Sequence, residues 1–441
     1  MARVGPARRD LPDGLHDRSC VVPLADCQCR ASGRQSPRVG RHRCVPAGGG
    51  LDRREHSRRE AAGGRRHHSL FLRQPRRVLR LDGRPRCVRS VIDFAGAAEV
   101  VERGVGDRAF PAAVVEVGSR DGVLWQQAFG RLDHDADAAV TRADTIFDLA
   151  SLTKVIATTS LVMRLVERGT VRLNHPIRNW IPEWRGNDRE HVTVRSLLSH
   201  SSGLTAWLPF FRDHTGRQEF QHAICSLPLE YQPDTQSIYS DLGFILLGFI
   251  VEDAGGGPFQ RQAEALLSEL TAAPLLFNPP ADLRASIAPT ENDPWRGRRL
   301  IGEVHDENCW ALGGAAGHAG LFGTAAAVGD FARAILGALN GSDSRLATPK
   351  TARTFVTRAG IPGSRALGWD TMLPTSSCGT KMSASAFGHT GFTGTTLWID
   401  PERGIYVVFL TNRVNPTREN TTIQRVRPAL HDAVIDAVDG A

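Results

Sequence analysis

Two pairs of strand-like runs, each joined by a tight-turn sequence, stand near opposite ends of the region after residue 90. "AAVVEVGS" and "VLWQQAFG" flank "RDG", and "TTLWID" and "IYVVFLTN" flank "PERG". Runs rich in β-branched and aromatic residues around such turns read as hairpins. Between the pairs, from about 172 to 350, helical patterns alternate with loops such as "GNDREH" and "FNPPADLR". That order predicts one sheet built from both ends of the region, with a mainly helical lobe inserted between them. The expected fold class is α/β (α+β), an antiparallel sheet flanked by helices. No internal repeat is visible.

Three helices matter most. "IDFAGAAEVVERGVGD" reads as a helix ahead of the first hairpin. Leu152, Val155, Ile156, Thr159, Met163 and Val166 share one face of a second helix, and Gly169 marks its end. "TIQRVRPALHDAVIDAV" closes the chain as a third.

The first 90 residues are of another kind. They hold 22 Arg, no Lys and 8 acidic residues, a net of +14. Against +7 for the whole chain, the rest therefore carries −7. No apolar rhythm runs through this segment, and such a composition cannot offset its ordering entropy by burial. It is expected to be disordered or, since Arg outnumbers Lys by 51 to 3 overall, an out-of-frame reading of a GC-rich gene. Two other readings were weighed. A nucleic-acid arm would neutralise phosphates with such Arg clusters, but the acidic remainder argues against it. A zinc module would need Cys-x-x-Cys pairs, and Cys20, Cys27, Cys29, Cys44 and Cys87 supply none. The segment shows no apolar core of an export signal, and localisation stays open. The longest apolar run, "FILLGFIV", falls far short of the about 20 residues that span a bilayer.

Four short motifs carry chemistry. "SLTK" places Ser151 one turn before Lys154 at a helix start. "SIYSDLGF" places Tyr239, Ser240 and Asp241 before an apolar helix. "GHTGFTGTTLWID" leads His389, Thr390 and Gly391 into a strand. "LLSHSSGL" ends a helix at 197–204. Each alone has a plain reading as a cap, a turn or a strand entry. His200, His305 with Asp306, and His318 fit no metal-ligand spacing and read as structural.

In this order and at these separations the four motifs resemble the serine β-lactamase and penicillin-binding protein superfamily. The resemblance is to its class C-like branch, which includes family VIII carboxylesterases, D-aminopeptidases and D-Ala-D-Ala carboxypeptidases. It spans roughly 92–440. "VHDENCWALGGAAGHAGLFGTA" at 304–325 is similar to a stretch shared by that hydrolase group. The chain departs from the class C pattern twice, with Tyr-Ser-Asp for Tyr-x-Asn and His-Thr-Gly for Lys-Thr-Gly.

The resemblance implies a β-lactamase/transpeptidase-like fold over 91–441, with the site between two lobes. It implies Ser151 as nucleophile, activated by Lys154 and Tyr239, since a serine hydroxyl attacks only when a base takes its proton. Lys154 is such a base only with a lowered pKa. Asp241, paired with Lys154, would hold it charged. His389 would make the charge at its position pH-dependent. The N–H groups of Ser151 and Phe392 would form the oxyanion hole. Asp241, His389, Thr390 and Gly391 would contact substrate. Asn415 and Arg418, in "NPTR", would hold a substrate carboxylate. No metal or organic cofactor is implied.

The expected activity is hydrolysis, through an acyl-enzyme, of a small-molecule substrate: a β-lactam, a small carboxylic ester or a D-amino-acid amide. A receptor acylated without turnover and a nucleic-acid-associated protein are the alternatives.

Overall fold

The computed structural model describes residues 92–441. The Arg-rich segment lies outside the described residues. Six antiparallel strands form the main sheet, in the spatial order Gly122–Gly130, Ala112–Ser119, Ile405–Thr411, Thr396–Asp400, Phe387–Thr390, Asp370–Thr371. The two expected hairpins thus meet at the centre, where Ala113 pairs with Thr411 and Ser119 with Ile405. An isolated hairpin is marginal in water, and joining two gives each a paired edge. The strand bearing His389 gains one more neighbour, Asp370–Thr371, which the sequence reading did not include.

The two central strands are buried on both faces, so they read as continuous apolar runs rather than alternations. Val115, Val117, Val407 and Phe409 face the helices Ala95–Gly106 and Ile423–Asp439. Val114, Tyr406, Val408 and Leu410 face the opposite core, against the helix Ala325–Asn340. Glu116 is also buried there, held by the Tyr406 hydroxyl at 2.8 Å and the Gln126 amide at 2.7 Å. Burial pushes its carboxyl above the ordinary range.

The helix after Ser151 differs from expectation. Its first part, Lys154–Thr159, is wound as a π-helix and continues into Ser160–Glu167. Every residue from Leu152 to Met163 is buried, not one face alone. Gly169 ends it at φ +72°. The helix sits inside the molecule because the apolar helix Asp241–Gly255 and the segment around Gly317 pack against it. Gly317 has no room for a side chain: a Cβ there would lie 2.1 Å from the Phe244 carbonyl oxygen.

Candidate active site

Three chain segments converge on Ser151. The first is its own turn. Ala150, just before it, adopts φ +46°, a backbone conformation rare for L-residues and often found at functional turns. The Asp148 carboxylate holds the Ala150 N–H at 2.8 Å, and the Thr153 hydroxyl donates to the Ala150 carbonyl at 2.6 Å.

The second segment is the turn after His389. Thr393 and Thr395 donate to the carbonyls of Asp148 and Leu149 at 2.7 and 2.9 Å. Gly391 allows this approach, since a Cβ there would meet the Leu149 oxygen at 2.6 Å. The glycines and threonines of "HTGFTGT" therefore clamp this turn against the serine turn. Neither the Ser151 nor the Phe392 N–H donates a hydrogen bond within the described residues.

The third segment carries Tyr239. Ser240 caps the following helix by accepting from Gly243 N. The His200 ring packs 4.7 Å from Tyr239 and 5.0 Å from Phe244, and its Nδ1 accepts from Ser240 N. "LLSHSSGL" thus supports the tyrosine.

The side chains form a compact proton-exchanging cluster. Ser151 Oγ accepts hydrogen bonds from Lys154 Nζ and from the Tyr239 hydroxyl, both at 2.8 Å. Lys154 is fully buried and also donates to the His318 carbonyl at 2.9 Å. Its Nζ lies 2.7 Å from Asp241 Oδ1, as an ion pair rather than an aligned hydrogen bond. Burial alone would depress the lysine, but its interactions with Asp241 and Tyr239 outweigh it and raise its pKa. Burial likewise raises the Tyr239 phenol, against the opposing Lys154 charge. In the resting site the lysine is cationic and the tyrosine neutral.

His389 corrects one expectation. It is buried, its Nδ1 donates to the Thr390 carbonyl at 2.9 Å, and its Nε2 has no partner among the described residues. Burial, then the charges of Arg365 and Lys154, push its pKa well below the ordinary value. It stays neutral near pH 7 instead of switching there.

The cluster opens into a cleft of about 750 Å³. A larger hollow of about 1480 Å³, between Arg120 and Arg403, contains none of these residues. Arg418 lines the cleft, but its guanidinium is tied to Glu291 at 2.6 Å and Glu307 at 2.7 Å. Asn415 is buried, with its side-chain oxygen unpartnered among the described residues, and does not line the cleft. The cleft thus brings together Ser151, Tyr239, Asp241, His389, Thr390, Gly391, Phe392 and Arg418, with Lys154 bonded to Ser151 from inside the fold.

A beta-lactamase family model matches residues 97–430. The chain belongs to that family. An Escherichia coli (strain K12) protein named "Putative D-alanyl-D-alanine carboxypeptidase" is 32% identical over 305 residues, covering 61% of this chain and 69% of that one. A Salmonella agona (strain SL483) protein of the same name is 28% identical over 381 residues, covering 76% and 88%. Among solved structures, a penicillin-binding protein homolog from Caulobacter crescentus superposes with TM-score 0.64 at 20% identity, covering 78% of this chain and 97% of its own. EstCE1, a hydrolase with promiscuous acyltransferase activity, superposes with TM-score 0.62 at 19% identity, covering 78% and 99%. Those two show a shared fold. Family membership supports a serine hydrolase in general terms. Among the described residues no helix is long and apolar enough to cross a membrane.

Sequence reasoning missed two contributors. His318 was read as structural, yet its carbonyl holds Lys154, and its ring pairs with Asp306 at 2.8 Å. The signal was present in the Gly-rich stretch 304–325, which had no assigned role. Arg365 gave no signal, being a lone arginine in "GIPGSRALGWD".

Proposed function

We propose that residues 91–441 form a serine acyl hydrolase that cleaves amide bonds to D-amino acids through an acyl-enzyme on Ser151. The observation that carries this is the double hydrogen bond to Ser151 Oγ, from a buried lysine and a neutral tyrosine. The names of the E. coli and Salmonella relatives support the substrate class.

Lys154 is cationic at rest, so it takes the serine proton only after passing one on. Asp241, 2.7 Å away, is the acceptor. Moving a proton from Nζ to Oδ1 turns the ion pair into a neutral pair without changing the net charge. The lysine lone pair then accepts the Ser151 proton as Oγ attacks the substrate carbonyl. The N–H groups of Ser151 and Phe392 stabilise the oxyanion. As the C–N bond breaks, the Tyr239 hydroxyl protonates the leaving amine and regains a proton from Lys154. Water then attacks the acyl carbonyl, its proton passes through Tyr239 to Ser151 Oγ as the ester C–O bond breaks, and Asp241 returns its proton to Lys154, restoring the resting ion pair. An asparagine in place of Asp241 cannot accept the first proton, so this departure from the class C pattern changes the route.

The test offers the purified chain N-acetyl-D-alanyl-D-alanine, a chromogenic cephalosporin and p-nitrophenyl butyrate. Continuous release of D-alanine is expected. Turnover of the cephalosporin or ester with no D-alanine release would reassign the substrate. A single burst without turnover would make the protein an acylated receptor instead.

A further inference from the structure

The two N–H groups assigned to the oxyanion hole, on Ser151 and Phe392, each stand next to a residue that Asp148 holds. Its Oδ1 accepts from the N–H of Ala150, the residue before Ser151, at 2.8 Å. Its main-chain carbonyl accepts from the hydroxyl of Thr393, the residue after Phe392, at 2.7 Å. Its Oδ2 accepts from the N–H of His305 at 2.7 Å, and the His305 ring stacks on that of Phe392 with centroids 5.6 Å apart. One residue thus reaches both donors, each through an immediate neighbour. The stretch 304–325 gains a second role by supplying His305.

Asp148 is 2% exposed and does not line the cleft. Both its carboxylate oxygens are spent on backbone N–H groups. Burial raises its pKa, against those two hydrogen bonds. The residue itself is anchored in the short strand Phe147–Asp148, which pairs with Leu321–Gly323. Ala150 is the link that needs holding, since its φ of +46° is one L-residues seldom adopt. The Asp148 carboxylate fixes its N–H, and the Thr153 hydroxyl fixes its carbonyl at 2.6 Å. In a planar trans peptide the Ser151 N–H points opposite to that carbonyl, so its direction is set as well.

We infer that Asp148 is the positioning residue of the oxyanion hole, holding the serine turn and the turn after His389 so that their two N–H groups meet one oxygen. This rests on the reaction proposed above, in which Ser151 is the nucleophile and these N–H groups are the donors. Preorganised donors act most where the oxygen carries its charge, in the tetrahedral state, and less on the bound carbonyl. Loosening Asp148 should therefore weaken transition-state binding and spare ground-state binding. Asp148→Asn is nearly isosteric. It turns one acceptor oxygen into an NH2 group, which then faces an N–H donor of Ala150 or of His305.

Single-turnover kinetics of the full chain on p-nitrophenyl butyrate, over a range of enzyme concentrations, separate the acylation rate from the half-saturating concentration. In Asp148→Asn the acylation rate should fall about 10²–10³-fold, the scale of losing an oxyanion donor, with half-saturation unchanged. Phenylboronic acid, which Ser151 Oγ converts to a tetrahedral boronate with an oxygen in the hole, should lose affinity in parallel. Titration with a fluorophosphonate should still count one reactive site per chain. Thr393→Val removes only the hydroxyl bound to the Asp148 carbonyl and should show the same pattern at about tenfold. It decides the matter alone if Asp148→Asn does not fold. Normal acylation and boronate affinity in the folded variants overturn the inference, and so does an equal loss in half-saturation. A merely structural role lowers the count of reactive sites and leaves the rate per site intact, which also counts against it. The proposed reaction fails separately, if the unmodified chain takes up no fluorophosphonate on Ser151.

Discussion

Lys154 Nζ and Asp241 Oδ1 lie 2.7 Å apart at the base of the cleft, with the lysine fully buried. This pair sets the protonation state of the site. The aspartate raises the lysine against a burial effect that acts alone in the other direction. In the proposed reaction the base that activates Ser151 is therefore Lys154 acting together with Asp241.

Asp241→Asn should lower kcat/KM at neutral pH and move the rising limb of its pH profile to higher pH. In the native site the proton passes from Lys154 to Asp241 and the pair keeps its net charge. In the variant the lysine must lose its proton to water before it accepts that of Ser151. A limb that stays in place or moves to lower pH contradicts Asp241 as the first proton acceptor.

Gly391→Ala should cost about 10²–10³ in kcat, the scale of losing one oxyanion donor. The new Cβ would meet the Leu149 oxygen at 2.6 Å and Thr395 Oγ1 at 2.1 Å. The turn must move away, taking the Phe392 N–H with it. Steady-state rates on an activated ester check this, and a near-normal kcat would place the oxyanion donor elsewhere.

Much of this site was legible in the sequence. Ser151, Lys154 and Tyr239 could be picked out because their motifs, taken together and in order, resemble a known family, whereas each alone reads as a helix cap or a turn. The joining of the two hairpins followed from strand runs at both ends of the region. Arg365 was invisible, because its position over the Tyr239 ring is a property of the fold. The ion pairs of Arg418 were invisible for the same reason: nothing local to "NPTR" shows that Glu291 and Glu307 come to meet it. His389 looked like a switch because burial cannot be read from three letters.

Arg418→Ala should destabilise the fold, because it breaks the ion pairs with Glu291 and Glu307. Breaking a buried ion pair costs about 3–5 kcal/mol, and less is expected here because the arginine side chain is 30% exposed. Glu291, held down to about 2 by His305 and Arg418 against its burial, would lose one of these partners. Urea denaturation at pH 7 measures the loss. Unchanged stability would contradict a structural role for these ion pairs.

Acid should destabilise the native chain through its buried histidines. His431 is fully buried, and burial lowers its pKa to about 4. The unfolded chain binds that proton near pH 6.5, so the stability is complete above 6.5 and is lost as pH falls toward 4. At pH 5 this residue alone accounts for about 2 kcal/mol. Comparing unfolding free energies at pH 7 and 5 for the parent and His431→Gln isolates the effect. The variant should show the smaller drop, and an equal drop would contradict the assignment.

The central claim is that Ser151 becomes acylated. Peptide mapping by mass spectrometry after exposure to a fluorophosphonate, or to substrate quenched in acid, reads this directly. One adduct is predicted, on the peptide containing Ser151, and it should be absent from the Ser151→Ala chain together with all turnover. An adduct on another serine, or turnover that persists in the alanine variant, would contradict the account.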